Sequence, residues 1–205
     1  MDGDSPDLHL LAHQFHDRAH IIVDEAHALG VIGDQGEGLC QQLEIEDLIF
    51  ARVVTFGKGL GCHGAAVLGT NDLIEFLINF SRPFIYTTAM SPHSIATILA
   101  SYEQLSNSQN TIQSLKEMIS YFKTKVKDIS FDVIESSSAI HTIICPGNEN
   151  VKALSKHLLD YGIDAKAILA PTVPVGKERL RICLHAYNTT KEIDKLISCI
   201  NEFIQ

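Results

Sequence analysis

Apolar residues recur along the chain at two different spacings, and the switching between them predicts a mixed helix-and-strand protein. Behind Pro6, residues 6–18 carry apolar side chains at helical intervals and predict an amphipathic helix. Ile21, Ile22 and Val23 are consecutive and β-branched, which predicts a buried strand over 20–24. A glycine-punctuated stretch, GVIGDQGEG, follows as a loop, and residues 44–50 fit neither spacing. RVVTF at 52–56 and AAVLGT at 65–70 predict two more strands, joined by the glycine-rich GKGLGCHG. Asn71 is placed to cap a helix running to about Phe80, with Asp72 and Glu75 favourable in its first turn. Pro92 suits the first turn of a helix that ends near Leu105.

The polar break SNSQN at 106–110 divides the pattern, giving an expected domain of residues 1–110 and a smaller one of 111–205. Beyond it, 111–128 reads as a helix, and FDVIESSS and AIHTIICPG read as strands. Residues 150–161 read as a helix stopped at Tyr161-Gly162, with glycine in its usual place after a helix C-terminus. LRICLHA is a further strand. Thr190 opens a last helix, TKEIDKLISCINEFI, whose apolar residues keep the helical period.

Charge and composition narrow the function classes. Sixteen Lys and Arg face twenty-five Asp and Glu, a formal net charge of −9, whereas a protein that grips nucleic-acid phosphates needs a basic face. No run of 18 apolar residues occurs, so no membrane span is expected. The acidic N-terminus lacks the basic and apolar regions of a signal peptide. The five cysteines are widely spaced with no C-x-x-C pair, which suits free thiols in a reducing cytoplasm better than disulfides or a zinc site.

One string invites a specific reading. HIIVDEAHALG ends a strand in Asp24, Glu25, Ala26 and His27, the letters with which nucleic-acid helicases hold Mg²⁺ at a nucleoside triphosphate. That chemistry also needs a G-x-x-x-x-G-K-[ST] phosphate loop. The nearest string, FGKGLG, has glycine where the metal-binding hydroxyl belongs, so the motor reading is set aside. The letters fit another chemistry. Asp24 and His27 stand at one strand end; Thr55 and, just beyond it, Lys58 stand at another. In α/β sheets ligands occupy the crevice outside such ends. A lysine among Gly57, Gly59, Gly61 and Gly64 can form a Schiff base where burial and neighbours lower its pKa. Taken singly, each residue has an ordinary alternative: a solvated turn lysine, a capping aspartate, a surface imidazole.

VDEAHALGVIGDQGEG followed by TFGKGLG resembles the α-oxoamine synthases, a family of pyridoxal-phosphate enzymes within the fold-type I, class II aminotransferase-like group. FIYTTAMSP at 84–92 and APTVPVGKERLRICLHA at 170–186 extend the resemblance in the same order along nearly the whole chain. The resemblance implies an α/β fold: the C-terminal part of the large cofactor-binding domain, then a small α+β domain. It implies pyridoxal 5′-phosphate as cofactor, with Lys58 as the Schiff-base lysine and proton carrier, Asp24 paired with the pyridine nitrogen, His27 on the phenolic oxygen and Thr55 on the phosphate. Thr88 is implied to reach the phosphate of a neighbouring subunit's cofactor in a homodimer. Arg181 is implied to bind the substrate carboxylate, with Thr172 lining the same end. Arg179 is expected to face the other side of its strand, and Glu25 to be structural.

The implied reaction condenses an acyl-CoA with an amino acid and releases CO₂. PTVP with ERLRI most resembles the biotin-pathway branch, which joins a pimeloyl thioester to L-alanine. Glycine C-acetyltransferase and the other α-oxoamine synthases share most of these strings, and an aminotransferase of the same fold or a non-catalytic dimerising chain are the alternatives. Family members run to nearly twice this length. The chain is therefore expected to be a C-terminal portion that lacks the glycine-rich phosphate turn and the ring-stacking residue, and to be nearly inactive alone.

Overall fold

The two strand ends that carry the candidate chemistry belong to one three-stranded sheet. In the computed structural model, which describes residues 1–204, β1 (Ile22–Asp24) pairs parallel with β2 (Ala51–Thr55), and β3 (Ala65–Gly69) pairs antiparallel with β2. The parallel pairing is what brings the C-terminal ends of β1 and β2 side by side. Register fixes the faces: Asp24 lies opposite Val53, and Thr55 is two residues on from Val53, so Asp24 and Thr55 project from the same face. β1 is shorter and barer than the apolar run predicts. Ile22 is 64% exposed because its strand has a partner on one edge only among the described residues.

The described chain divides into two compact units, residues 6–112 and residues 113–204 with 1–5. In the first, α1 (Leu8–Phe15) and α2 (Leu39–Gln42) enclose a small core around Ala12, Cys40 and Ile45. Asp7 caps α1 by accepting from the Leu10 amide at 2.9 Å, so the helix is shorter than the 6–18 expected. A 3₁₀ turn at Glu46–Leu48 occupies the stretch that fitted neither period. α3 (Asn71–Phe80), α4 (Arg82–Ile85) and α5 (Pro92–Leu105) follow. The cap of α3 is Thr70, whose hydroxyl accepts from the Leu73 amide; Asn71 is the first helical residue, a correction to its expected role.

α6 (Gln109–Lys125) begins in the first unit and runs into the second. That unit holds a four-stranded antiparallel sheet in the order β4 (Val133–Ile134), β5 (Ile140–Ile144), β7 (Arg179–Cys183), β6 (Lys166–Ile168). β6 is absent from the sequence reading: KAI is too short for a strand pattern to stand out. α7 (Asn148–Asp160) packs on β6, β7 and α8 (Thr190–Ile204). Val151, Leu154 and Leu158 of α7, Ile193 and Ile200 of α8, and Ile143 and Leu180 of the sheet are buried, each contributing about 1.5–3 kcal/mol by removal from water. The first five residues join this unit. Asp2 pairs with Arg179 at 2.6 Å, and the Gly3 carbonyl accepts from Ser136. No helix among the described residues is long and apolar enough to cross a membrane.

Candidate active site

Lys58 is placed by glycine. A Cβ built on Gly59 would stand 2.4 Å from the Leu29 carbonyl oxygen, a separation no other residue tolerates. Its absence lets the loop after β2 lie directly against the loop after β1. Lys58 Nζ then sits 3.1 Å from His27 Nε2, with both side chains exposed. Asp24 Oδ1 accepts from the Ala26 amide at 2.9 Å, an Asx turn that swings the chain from the strand end toward His27. Thr55 Oγ1 reaches the Ala26 carbonyl at 3.4 Å. Asp24, His27, Thr55 and Lys58 are thus gathered at one edge of the sheet, as an amine, an imidazole, a carboxylate and a hydroxyl.

Glu25, inside the same string, turns away from this group. Its carboxylate is buried, pairs with Arg52 and accepts from the Cys40 amide at 2.9 Å. The Arg52 guanidinium also donates to the Glu37 carbonyl at 3.2 Å. This pair fastens the loop behind Asp24 to β2, and removing one partner would strand the other's charge in the interior. Burial, with the Glu25 carboxylate close by, pushes the Cys40 thiol up to about 12, so it is protonated and inert. A concavity of about 270 Å³ opens on the opposite face of β2, lined by Arg52, Val54, Leu68 and Tyr102 among others. It lies away from the face that bears Asp24 and Thr55. Thr88 lies in the exposed stretch between α4 and α5.

Arg181 and Thr172 belong to the second unit. Arg179 and Arg181 are two residues apart on β7 and therefore share a face, so the expectation that Arg179 turns the other way is corrected. What separates them is partnership. Arg179 is buried and ion-paired with Asp2. Arg181 is half-buried, and its Nε is a buried donor with no hydrogen-bond partner among the described residues. Thr142, its cross-strand neighbour on β5, likewise has a buried hydroxyl without a partner. A guanidinium left unmatched in this way is suited to an incoming anion. Thr172 is exposed, in the turn segment that precedes β7.

Two side chains that sequence reasoning passed over hold that segment. Glu178 Oε2 accepts from the amides of Gly147 and Gly176, each at 2.9 Å. These bonds, the Gly147 amide's first, keep its carboxyl below the usual carboxylate range. Asn148 Oδ1 accepts from the Ala170 amide at 2.9 Å. Gly176 is two residues from Glu178, but the partners that tie the segment to the turn before α7 lie 22 and 31 residues away in sequence, which leaves no local spacing for a sequence pattern to reveal.

The family model for aminotransferase class I and II matches residues 1–200. The 8-amino-7-oxononanoate synthase of Emericella nidulans is 38% identical over 192 residues, covering 91% of this chain and 47% of that protein. Among solved structures, the 8-amino-7-oxononanoate synthase of Francisella tularensis superposes with a TM-score of 0.90 at 28% identity, covering 100% of this chain and 60% of its own. A serine palmitoyltransferase solved with pyridoxal phosphate superposes with a TM-score of 0.89 at 25% identity, covering 98% and 51%. The chain spans about half the length of the curated relatives it matches.

Proposed function

Because the chain belongs to the aminotransferase class I and II family, whose cofactor is pyridoxal 5′-phosphate, we propose that the whole protein is an acyltransferase of the α-oxoamine synthase kind. It joins an acyl thioester to an amino acid with loss of CO₂, and the pair we favour is a pimeloyl thioester and L-alanine, as in biotin synthesis. The observation that carries this reading is the 3.1 Å approach of Lys58 Nζ to His27 Nε2, at strand ends that also bear Asp24 and Thr55.

These residues fit the cofactor's functional groups. Lys58 supplies an amine for its aldehyde, Asp24 a carboxylate for its ring nitrogen, His27 an imidazole for its phenolic oxygen, and Thr55 a hydroxyl for its phosphate. Pyridoxal phosphate, when bound, supplies an electron sink that stabilises negative charge on the amino-acid Cα. The protein's own residues do the rest. Asp24, as an anion, raises the basicity of the ring nitrogen beside it and holds a proton there. Lys58 takes the proton from the amino-acid Cα and returns it, and His27, within hydrogen-bond reach, fixes the direction of its amine. Arg181 receives the amino-acid carboxylate, with Thr172 at the same end. In this reading Thr88 reaches the phosphate site of a second copy, so the working unit is a homodimer. A reducing cytoplasm suits the five free thiols.

Borohydride reduction of the pyridoxal-phosphate-loaded protein followed by peptide mapping tests the site. Pyridoxyl is expected on Lys58, and a label on Lys166 or Lys177 would overturn the assignment. Release of CoA from pimeloyl-CoA in the presence of L-alanine tests the reaction. Amino-group transfer without any thioester would replace it with an aminotransferase reading.

A further inference from the structure

The segment from Ala170 to Glu178 has no regular secondary structure, yet it is pinned at both ends to one short turn. At its start, the Asn148 side chain accepts from the Ala170 amide at 2.9 Å and donates to the Ala170 carbonyl at 3.4 Å. At its end, Glu178 is 2% exposed, and a single carboxylate oxygen takes the amides of both Gly176 and Gly147. Gly147 and Asn148 are adjacent, at the start of α7. Between the two fastenings Val173 is buried, while Thr172, Pro174, Lys177 and Val175 are exposed, the last at 87%. An exposed loop of this length is ordinarily mobile. This one is an arch with two fixed feet and an apolar keystone.

We propose that Glu178 and Asn148 are positioning residues, clamping both feet of the 170–178 arch to the turn that opens α7 so that Thr172 and the start of β7 are held in place for an amino-acid substrate. The inference rests on the reading that Arg181 and Thr172 receive the substrate carboxylate. Glu178 immediately precedes β7, and its backbone carbonyl accepts from the Cys145 amide at 2.9 Å, so the clamp also sets where the strand bearing Arg181 begins. Orienting groups of this type act through geometry, and a misplacement of about an ångström can cost up to about a hundredfold. Because both amides go to one oxygen, a glutamine amide oxygen can replace that oxygen, whereas alanine leaves both N–H groups without it.

The test uses the cofactor-loaded protein and L-alanine as probe. In Glu178→Ala and in Asn148→Ala, the dissociation constant for L-alanine is expected to rise about tenfold or more, and Glu178→Gln should return it to within about twofold. Amide hydrogen exchange gives a readout independent of turnover. Gly176 and Ala170 should exchange at least about tenfold faster in the respective alanine variants and at the wild-type rate in Glu178→Gln. Unchanged exchange in both alanine variants would show that the clamp is not what holds the arch. Faster exchange with unchanged L-alanine binding, alongside weakened binding in Arg181→Ala, would overturn the positioning role. Unchanged binding in Arg181→Ala would instead overturn the carboxylate reading, leaving the exchange data to judge the clamp by itself.

Discussion

Asp24 has a local duty in the structure and, in the proposed reading, a chemical one as well. Its Oδ1 already accepts from the Ala26 amide, and an asparagine oxygen can do the same, so Asp24→Asn should keep the turn. What it loses is the negative charge. Cofactor absorbance should therefore persist in Asp24→Asn while turnover falls by at least about a hundredfold, the scale of a misassigned proton at a catalytic group; near-wild-type turnover would remove Asp24 from the mechanism. Arg181→Ala should raise the Michaelis constant for the amino acid with little change in kcat, if the carboxylate contact is equal in ground and transition states. An unchanged constant would count against that role. His141 makes a residue-scale case away from the site. Burial, with Lys123 adding repulsion, lowers its pKa to about 4 from an ordinary 6.5. The unfolded chain thus binds a proton between those values that the folded chain refuses. Stability is full above about pH 6.5 and falls as the pH drops toward 4, by about 3 kcal/mol at completion. Urea unfolding at pH 7 and pH 4.5 should show a loss in the wild type that is largely absent in His141→Leu.

At the scale of elements, the two glycine-dependent loops matter more than the helices around them. Gly59→Ala would push its Cβ into the Leu29 carbonyl, forcing the loop after β2 off the loop after β1 and carrying Lys58 from His27. The expected result is weakened cofactor binding, read from its absorbance, with circular dichroism unchanged. Unaltered binding would mean that the loop can yield without moving Lys58. The sequence pattern located most elements within a few residues, because Pro92, Gly162 and the helical periods act locally. It misjudged β1 as a buried strand, since burial of a strand depends on what lies on both of its edges. It gave the cap of α3 to Asn71, although Thr70 is as good a capping residue one position earlier and is the one whose hydroxyl meets the Leu73 amide.

For the molecule as a whole, the first unit leaves large apolar side chains uncovered. Phe76, Phe80, Phe84 and Tyr86 on and after α3 and α4, and Ile95 and Leu99 on α5, are all more than half exposed. Large apolar side chains bared in such number within one short stretch of chain are a mark of an interaction surface. The protein is therefore expected to associate in solution, and Phe80→Ser with Phe84→Ser should move its sedimentation toward the monomer. A monodisperse monomer at micromolar concentration in the unsubstituted protein would refute this.

What the sequence determined by itself was whatever a local string can encode. The strand that ends at Asp24, the glycines that flank Lys58, the helix stops and the four ordered motifs that mark the family are all readable from neighbouring residues. The pairing of those strings was decided only in three dimensions. Asp24 and Thr55 share a face because β1 pairs in parallel with β2 in one register, and Lys58 meets His27 from 31 positions further along the chain. The difference between Arg179 and Arg181 has the same origin. The two are alike in sequence and share a face, but Asp2 neutralises one, and the other's Nε has no partner among the described residues. An ion pair across 177 residues has no local signature, because its energy depends on distance and burial, which only the folded chain sets.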